Sequence, residues 1–296
     1  MEKPNLVVGY LATSGGADAL AVGVRFARTL GAELEICIVL PHDRAVPSSA
    51  SPGAYDEVLG EQGEKWLAEA LASVPGDVGA HGHVRFDDSF AEGLISEAVR
   101  LNADAIVVGG AGGGLAGSYS LGTVVNELLY SSPIPVAVAP RGARDSHIDR
   151  VREVTCALGQ RRGADLLLDT AVRASRAAGT PLRLVSLVAL DPVFGTLRAD
   201  DEALRDRALA HAHDTLEAAK KGLPEGFPVT STLVDGPTVE DAVKKLDWHD
   251  GDVIMVGSSR LSAPKRLFLG STAAKMLRVL DVPMVVVPRD PHPADE

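Results

Sequence analysis

The sequence predicts an α/β fold of two tandem Rossmann-like, doubly wound domains, each with a five-stranded parallel sheet flanked by helices. Three observations support this prediction. The chain has 296 residues, a length typical of two domains that each bury a core. Its second half repeats its first half when the sequence is shifted by half its length. Within one repeat, short apolar runs alternate with segments of helical periodicity, as in β-α-β crossovers.

The repeat holds without a gap over much of the chain. The polar stretch 142–150 lies between the two copies and suits a linker. We therefore expect one domain over residues 1–145 and a second over residues 151–290. The identical residues that coincide under the shift include Gly109 with Gly257, Gly122 with Gly270, Asp87 with Asp235, and Asp104 with Asp252.

The strands and helices of the first repeat follow from its apolar pattern. Five runs bounded by Gly, Pro or Asp are predicted to be buried parallel strands. They are Leu6–Val8, Leu34–Leu40, Val84–Phe86, Ala105–Val108 and Val136–Ala139. Apolar residues three or four positions apart predict helices around Leu20–Leu30, Trp66–Leu71 and Phe90–Leu101. In such a fold, ligands bind at the carboxyl ends of the strands, so the loops after the first and fourth strands are the candidate site.

The composition disfavours several classes of function. Apolar residues make up 46% of the chain, and 29 Lys and Arg against 40 Asp and Glu give a net charge of −11. Nucleic acids and anionic membranes need clustered positive charge, so neither is expected as a partner. There is no run of about 18 apolar residues, and the start MEKPNLVV lacks the apolar core of a signal peptide. We therefore expect a cytoplasmic protein.

A glycine-rich loop, GGAGGGLAGSYSLGTVVNELL at 109–129, follows the fourth predicted strand. Glycines let backbone amides approach an anion closely. Gly122 and Thr123 open an amphipathic helix whose first amides and positive dipole end attract phosphate. The loop therefore predicts a phosphate site, with a merely flexible surface loop as the alternative.

The spacing G-x2-G-x9-G-[ST], carried by Gly109, Gly112, Gly122 and Thr123, resembles that of the universal stress protein family. The following P-x-P-V-x-V-x-P strand is also similar to the last strand of that family, and the likeness covers both halves. The resemblance implies a tandem protein that binds ATP, with or without Mg²⁺, and regulates a stress response. It implies that the first repeat binds through Gly9, Leu11, Gly109, Gly112, Gly113, Gly122, Thr123 and Val124, and that Gly257, Gly270 and Ser271 are the matching positions of the second repeat.

Both repeats depart from the pattern of that family. Its nucleotide-binding members usually begin V-V-G-x-D-x-S, but Leu11 and Gly159 stand where the two repeats should have the aspartate. The second repeat also has Arg260 in place of a motif glycine. We therefore expect the second repeat to be degenerate. Arg260, with Lys265 and Arg266, either binds a different phosphate-bearing ligand or closes the pocket.

Two other functions stay open beside an ATP-binding regulator. Without the aspartates, both repeats could form a scaffold for a protein partner and bind no nucleotide. The stretch TSGGADAL at 13–20 resembles the loop of ATP pyrophosphatase enzymes, although Ala19 replaces its final serine. The simpler interpretation of that stretch is a glycine turn with Asp18 in the first turn of a helix. The sequence contains no evident catalytic set, so at most slow ATP hydrolysis is expected.

The remaining polar candidates are interpreted as structural. Cys37 and Cys156 lie in apolar runs and are expected to be buried thiols. Two His-x-His pairs lack a third metal ligand nearby, and three glutamates are expected on solvated helix faces. These residues are His81 with His83, His211 with His213, and Glu92, Glu97 and Glu127.

The resemblance also implies how the two repeats associate. In many members of the family the last strands of two domains pair in antiparallel fashion. Val136–Val138 would then meet Val285–Val287 within one chain and form a pseudo-dimer that protects both strand edges. A homodimer and an unidentified protein partner stay open as further associations.

Overall fold

The alternating apolar runs of the sequence form the parallel strands of two α/β units. The computed structural model describes residues 3–42, 54–110, 122–159, 164–189, 201–258, 267 and 269–288. One unit spans Met1–Arg150 and the other Val151–Asp295. The predicted fold class, with a doubly wound parallel sheet in each unit, is confirmed.

In the first unit, the described strands follow the order β3-β2-β1-β4-β5, and all neighbours are parallel. Strand order reverses between β1 and β4, so the carboxyl ends of these strands form the switch point of the sheet. The strands are β1 (Asn5–Gly9), β2 (Glu33–Leu40), β3 (Ala80–Phe86), β4 (Ala105–Gly109) and β5 (Val136–Ala139). The helices are α1 (Ser14–Leu30), α2 (Ala54–Ser73), α3 (Phe90–Arg100) and α4 (Thr123–Ser131), with a short 3-10 helix at Ala143–Asp145.

The second unit repeats this arrangement. Its described strands follow the order β8-β7-β6-β9-β10, again with parallel neighbours throughout. The strands are β6 (Glu153–Ala157), β7 (Leu182–Ala189), β8 (Val229–Gly236), β9 (Asp252–Gly257) and β10 (Met284–Val287). The helices are α5 (Ala164–Ala178), α6 (Asp201–Lys221), α7 (Val239–Lys244) and α8 (Ser271–Leu277). None of the described helices has both the length and the apolar character needed to cross a membrane.

The core of each unit lies between the sheet and its helices. In the first unit, Ile36 of β2, Leu94 of α3 and Ile106 of β4 are fully buried. Cys37 and Cys156 are buried within their strands, as predicted. Desolvation raises the pKa of both thiols to about 12, so neither is a thiolate at neutral pH.

Glu97 of α3 is buried, so the prediction of a solvated helix face is wrong for this residue. Its carboxylate accepts hydrogen bonds from Nε of Arg100 at 2.9 Å and from Nε of Arg85 at 2.8 Å. Nδ1 of His83 lies 3.3 Å from its Oε1. The pKa of Glu97 is lowered to about 2, chiefly by the hydrogen bond from Arg100. The hydrogen bond from Arg85 lowers it further, whereas burial raises it. The other two glutamates, Glu92 and Glu127, are exposed as predicted.

Candidate functional site

The loop after β1 turns tightly into α1. Thr13 caps the helix, because its Oγ1 accepts a hydrogen bond from Gly16 N at 3.2 Å. The Thr13 amide in turn donates to the carbonyl oxygen of Leu11 at 2.7 Å. A Cβ on Gly16 would lie 1.9 Å from that carbonyl oxygen. The glycine at 16 is therefore required by the turn itself.

The end of β4 lies directly against the start of α1. A Cβ on Gly109 would lie 1.9 Å from the carbonyl oxygen of Gly15, and a Cβ on Gly15 would lie 3.1 Å from that of Gly110. The two loops at the switch point thus meet backbone to backbone. Close packing explains the glycine at 109 whether or not a phosphate binds nearby.

The predicted site residues Gly9 and Leu11 lie at the same edge. A Cβ on Gly9 would lie 2.7 Å from Cδ2 of Leu94 and 3.1 Å from Cγ1 of Val108, so this glycine makes room for the core. Leu11 is 37% exposed, so part of its apolar side chain faces outward. Leu11 therefore presents an apolar surface where the resembling family has a carboxylate.

The start of α4 carries the predicted phosphate-binding pair. Gly122 is the N-cap, with φ −58° and ψ 157°, and as a glycine it has no side chain to cap the helix. Thr123 is exposed at the first helical position, and Val124 is half-buried. Because β4, α4 and β5 form a parallel crossover, the helix begins at the carboxyl edge of the sheet. Gly112 and Gly113 lie outside the described residues.

Asp18 is hydrogen-bonded to the segment after β5. This buried carboxylate accepts hydrogen bonds from the amides of Gly142 and Arg144, each at 3.1 Å. Nη1 of Arg144 lies 2.9 Å from its Oδ1. Asp18 lies beyond the first turn of α1, which contains no acidic residue, so its predicted position was wrong. These contacts disfavour the pyrophosphatase interpretation, in which the loop 14–18 would grip a ligand.

The rest of the stretch 142–150 also contacts α1. Nε of Arg25 donates to the carbonyl oxygen of Ile148 at 2.9 Å, and Arg25 also donates to Ser146 Oγ. From the other direction, Nη1 of Arg150 donates to the carbonyl oxygen of Arg28 at 2.5 Å. The stretch predicted to be a linker is therefore an ordered part of the first unit.

A cavity of about 460 Å³ lies at the carboxyl ends of the strands in the second unit. Gly159 after β6, Gly257 at the end of β9 and Gly270 before α8 line it. The structure thus brings the predicted Gly257 and Gly270 together, while Ser271 is exposed at the first position of α8. Arg260, Lys265 and Arg266 lie outside the described residues.

The size of this cavity was missed in the sequence. Its described wall includes small side chains from several elements, among them Ala157, Ala164, Ala208, Ala212 and Ala273. The alanines of α6 recur at four-residue spacing, which was the available signal.

The four histidines of the His-x-His pairs have different surroundings. His211 of α6 lines the cavity, whereas His213 is exposed and is not part of its wall. His81 is exposed on β3, and Nε2 of His83 lies 2.6 Å from Oε2 of Glu35. Within the described part of the chain, no group of three or more His, Cys, Asp or Glu side chains could hold a metal ion.

Comparison with known proteins gives a consistent result. The model of the universal stress protein family matches residues 4–140 and again residues 151–288. Universal stress proteins from Mycobacterium tuberculosis and Mycobacterium bovis are each 29% identical to this chain over 292 residues, covering 96% of this chain and 99% of each relative.

Solved structures show the same fold over the full length. The crystal structure of a universal stress protein from Archaeoglobus fulgidus has a TM-score of 0.68 at 18% identity, covering 98% of this chain and 100% of that one. A functionally unknown protein from Pseudomonas aeruginosa has a TM-score of 0.59 at 17% identity, covering 97% and 92% of the two chains. At these identities the likeness concerns the fold alone.

Proposed function

The chain belongs to the universal stress protein family as a tandem of two domains, and on that premise we propose that it binds ATP in its first repeat and regulates a stress response. The family supports the role in stress. ATP, with or without Mg²⁺, is our proposal for the ligand, and the cytoplasm is our proposal for the location.

The start of α4 is the observation that carries this proposal. This helix begins at the carboxyl edge of the sheet with Gly122 as its N-cap, a residue that has no side chain to cap the helix. Its first-turn amides and dipole can therefore receive an anion without competition from the N-cap residue. The contact between Gly109 and Gly15 fixes the neighbouring backbone. The exposed Leu11 would offer an apolar contact to a base or sugar in place of a carboxylate.

The site is tested by calorimetry, which measures the binding of ATP and AMP to the parent chain and to the Thr123→Glu variant. Thr123 is exposed at the first position of α4, where an acidic side chain favours the helix dipole, so the variant should fold normally. Its negative charge repels phosphates. We expect one ATP per parent chain, a loss of affinity of at least about tenfold in the variant, and a smaller loss for AMP, which has fewer phosphate charges.

The internal repeat supplies a matched control. Ser271 is exposed at the first position of α8, so Ser271→Glu places the same charge at the equivalent point of the second unit. ATP affinity should stay at the parental value in this control. An equal loss in both variants would overturn the assignment to the first repeat, and a parent chain that binds no ATP would favour the scaffold alternative.

A further inference from the structure

We infer that Glu153, Arg183 and Asp252 form an acid-responsive switch at the amino-terminal edge of the second sheet. In this switch, Glu153 takes up a proton from solvent, and the Arg183 side chain then turns toward Asp252 and changes its contact with Trp248. Glu153 and Asp252 begin β6 and β9, and Arg183 is the second residue of β7. This edge lies opposite the carboxyl ends of the strands, so the switch is separate from the cavity and from the ATP site proposed for the first repeat.

Two carboxylates face the guanidinium of Arg183. Nε of Arg183 lies 2.9 Å from Oε1 of Glu153, and Nη2 lies 3.9 Å from Oδ2 of Asp252. Glu153 and Asp252 are also register partners on the neighbouring strands β6 and β9. Like charges at this spacing repel, so a proton on one of the two carboxylates relieves the repulsion.

The hydrogen bonds of Arg183 are incomplete. Its Nε donates to Thr155 Oγ1 at 3.0 Å, and Nη1 donates to the carbonyl oxygen of Asp247 at 3.0 Å. Nη2 is buried and has no hydrogen-bond acceptor among the described residues. The one hydrogen on Nε is thus directed at Thr155, and Arg183 contacts Glu153 through charge. A guanidinium that turns toward Asp252 gains an acceptor for Nη2.

Burial makes Glu153 the group that takes up the proton. Desolvation raises the pKa of its carboxyl above the ordinary value of 4.5, and the charge of Asp252 raises it further. The charges of Arg183 and His249 lower this pKa but do not offset the other two effects. Asp252 is more deeply buried, but it accepts a hydrogen bond from the His249 amide at 2.9 Å, which supports its negative charge. Once Glu153 is neutral, Asp252 is the remaining anionic partner of Arg183 at this edge.

Trp248 reports the position of Arg183. The guanidinium carbon of Arg183 lies 4.8 Å from the centre of the indole ring, within the range of a cation–π contact. The indole Nε1 donates to the carbonyl oxygen of Val243 at 3.1 Å. Because this bond does not involve Arg183, the ring can stay in place while the cation on its face moves. The fluorescence of Trp248 should therefore change when Arg183 turns toward Asp252.

The first repeat does not carry this set of residues. Asn5, Glu35 and Arg100 stand at the positions equivalent to Glu153, Arg183 and Trp248. The amide of Asn5 does not take up a proton in the acid range, and Glu35 supplies no cation. The switch therefore belongs to the second unit.

The test measures the tryptophan fluorescence of the full chain while the pH is lowered from about 7.5 to about 4, a range that includes the titration of a carboxyl with a raised pKa. The chain has 2 tryptophans, so Trp66→Phe leaves Trp248 as the single emitter. Its emission should change reversibly, with a midpoint above pH 4.5, while far-UV circular dichroism stays constant. In this background Glu153→Gln, which resembles the protonated carboxyl, should show the acid emission already at neutral pH. Asp252→Asn removes the charge that attracts Arg183 and should remove most of the change.

Glu225→Gln and His249→Gln are the controls in the same background. Glu225 is exposed in the second unit, and His249 precedes β9 next to Trp248, where an imidazole can also take up a proton in this range. Both variants should keep the change in emission. The inference would be overturned by an unchanged emission in the Trp66→Phe chain, by a change that occurs only with loss of circular dichroism, by an undiminished response in Glu153→Gln or Asp252→Asn, or by a response that disappears in either control. No nucleotide is present, so the result is independent of the proposed ATP site.

Discussion

At the scale of single residues, two buried carboxylates each interact with several donors. The Glu97 carboxylate accepts hydrogen bonds from Arg85 and Arg100. The Asp18 carboxylate accepts hydrogen bonds from two backbone amides and pairs with Arg144. Each would be costly to bury alone, and its partners offset that cost. Some of these donors come from other elements of the fold, so tertiary contacts hold each carboxylate in place.

Glu97 makes part of the stability dependent on pH. Its pKa is lowered in the folded protein from 4.5 to about 2, which corresponds to at most about 3 kcal/mol. A lowered pKa means that this contribution is present above about pH 4.5 and is lost as the pH falls toward 2. We expect Glu97→Gln to reduce the free energy of unfolding at pH 7 and to flatten its decline in that acid range, as measured by urea titration at several pH values.

Glu92→Gln is the control for this experiment. Glu92 lies on the same helix but is exposed, so its replacement should change the free energy of unfolding by no more than about 0.5 kcal/mol. If Glu97→Gln follows the pH dependence of the parent, the ionised carboxylate does not contribute as described.

At the scale of elements, the switch point of the first unit depends on a close approach of backbones. Gly109→Ala would place a methyl group 1.9 Å from the Gly15 carbonyl oxygen, so either β4 or α1 must shift. We expect a loss of about 1–3 kcal/mol in the free energy of unfolding and weaker ATP binding, measured by denaturant titration and calorimetry.

The adjacent glycine is a suitable comparison for Gly109→Ala. A Cβ on Gly110 would lie 3.4 Å from the nearest atom, the carbonyl oxygen of Ala139, so Gly110→Ala should be much milder. Equal stability of the two variants would show that the contact with Gly15 does not restrain position 109.

Much of the element structure followed from local sequence pattern. The run Val136–Ala139 matches β5 residue for residue, and Thr123 does begin α4. By contrast, β3 begins at Ala80, before the predicted Val84, because edge-strand residues of mixed polarity do not form an apolar run. Glu97 was misjudged for a different reason. Its burial depends on cations from β3 and the end of α3, which helical periodicity does not reveal.

The candidate sites were less predictable than the elements. Gly109 and Gly122 were found because a motif has fixed spacing, yet the contact of Gly109 with Gly15 joins residues far apart in sequence. The cavity of the second unit is lined by residues from six strands and helices, so no single segment predicts it. The pairing of Val136–Val138 with Val285–Val287 stays a prediction from the family resemblance.

At the scale of the whole molecule, two units of the same fold differ at the sheet edge where a ligand is expected. In the first unit, α4 begins after Gly122, beside the glycine contact at the switch point. In the second unit, a cavity lined by Gly159, Gly257 and Gly270 lies at the equivalent edge. The two repeats therefore differ at equivalent edges of one fold.

This difference predicts that one chain binds one ATP. The second repeat, unlike the first, has Arg260 in place of a motif glycine. Calorimetry of the parent chain should therefore give a stoichiometry of about one ATP per chain, because only the first repeat keeps the complete glycine spacing. Two equivalent sites per chain would contradict the assignment of ATP to the first repeat.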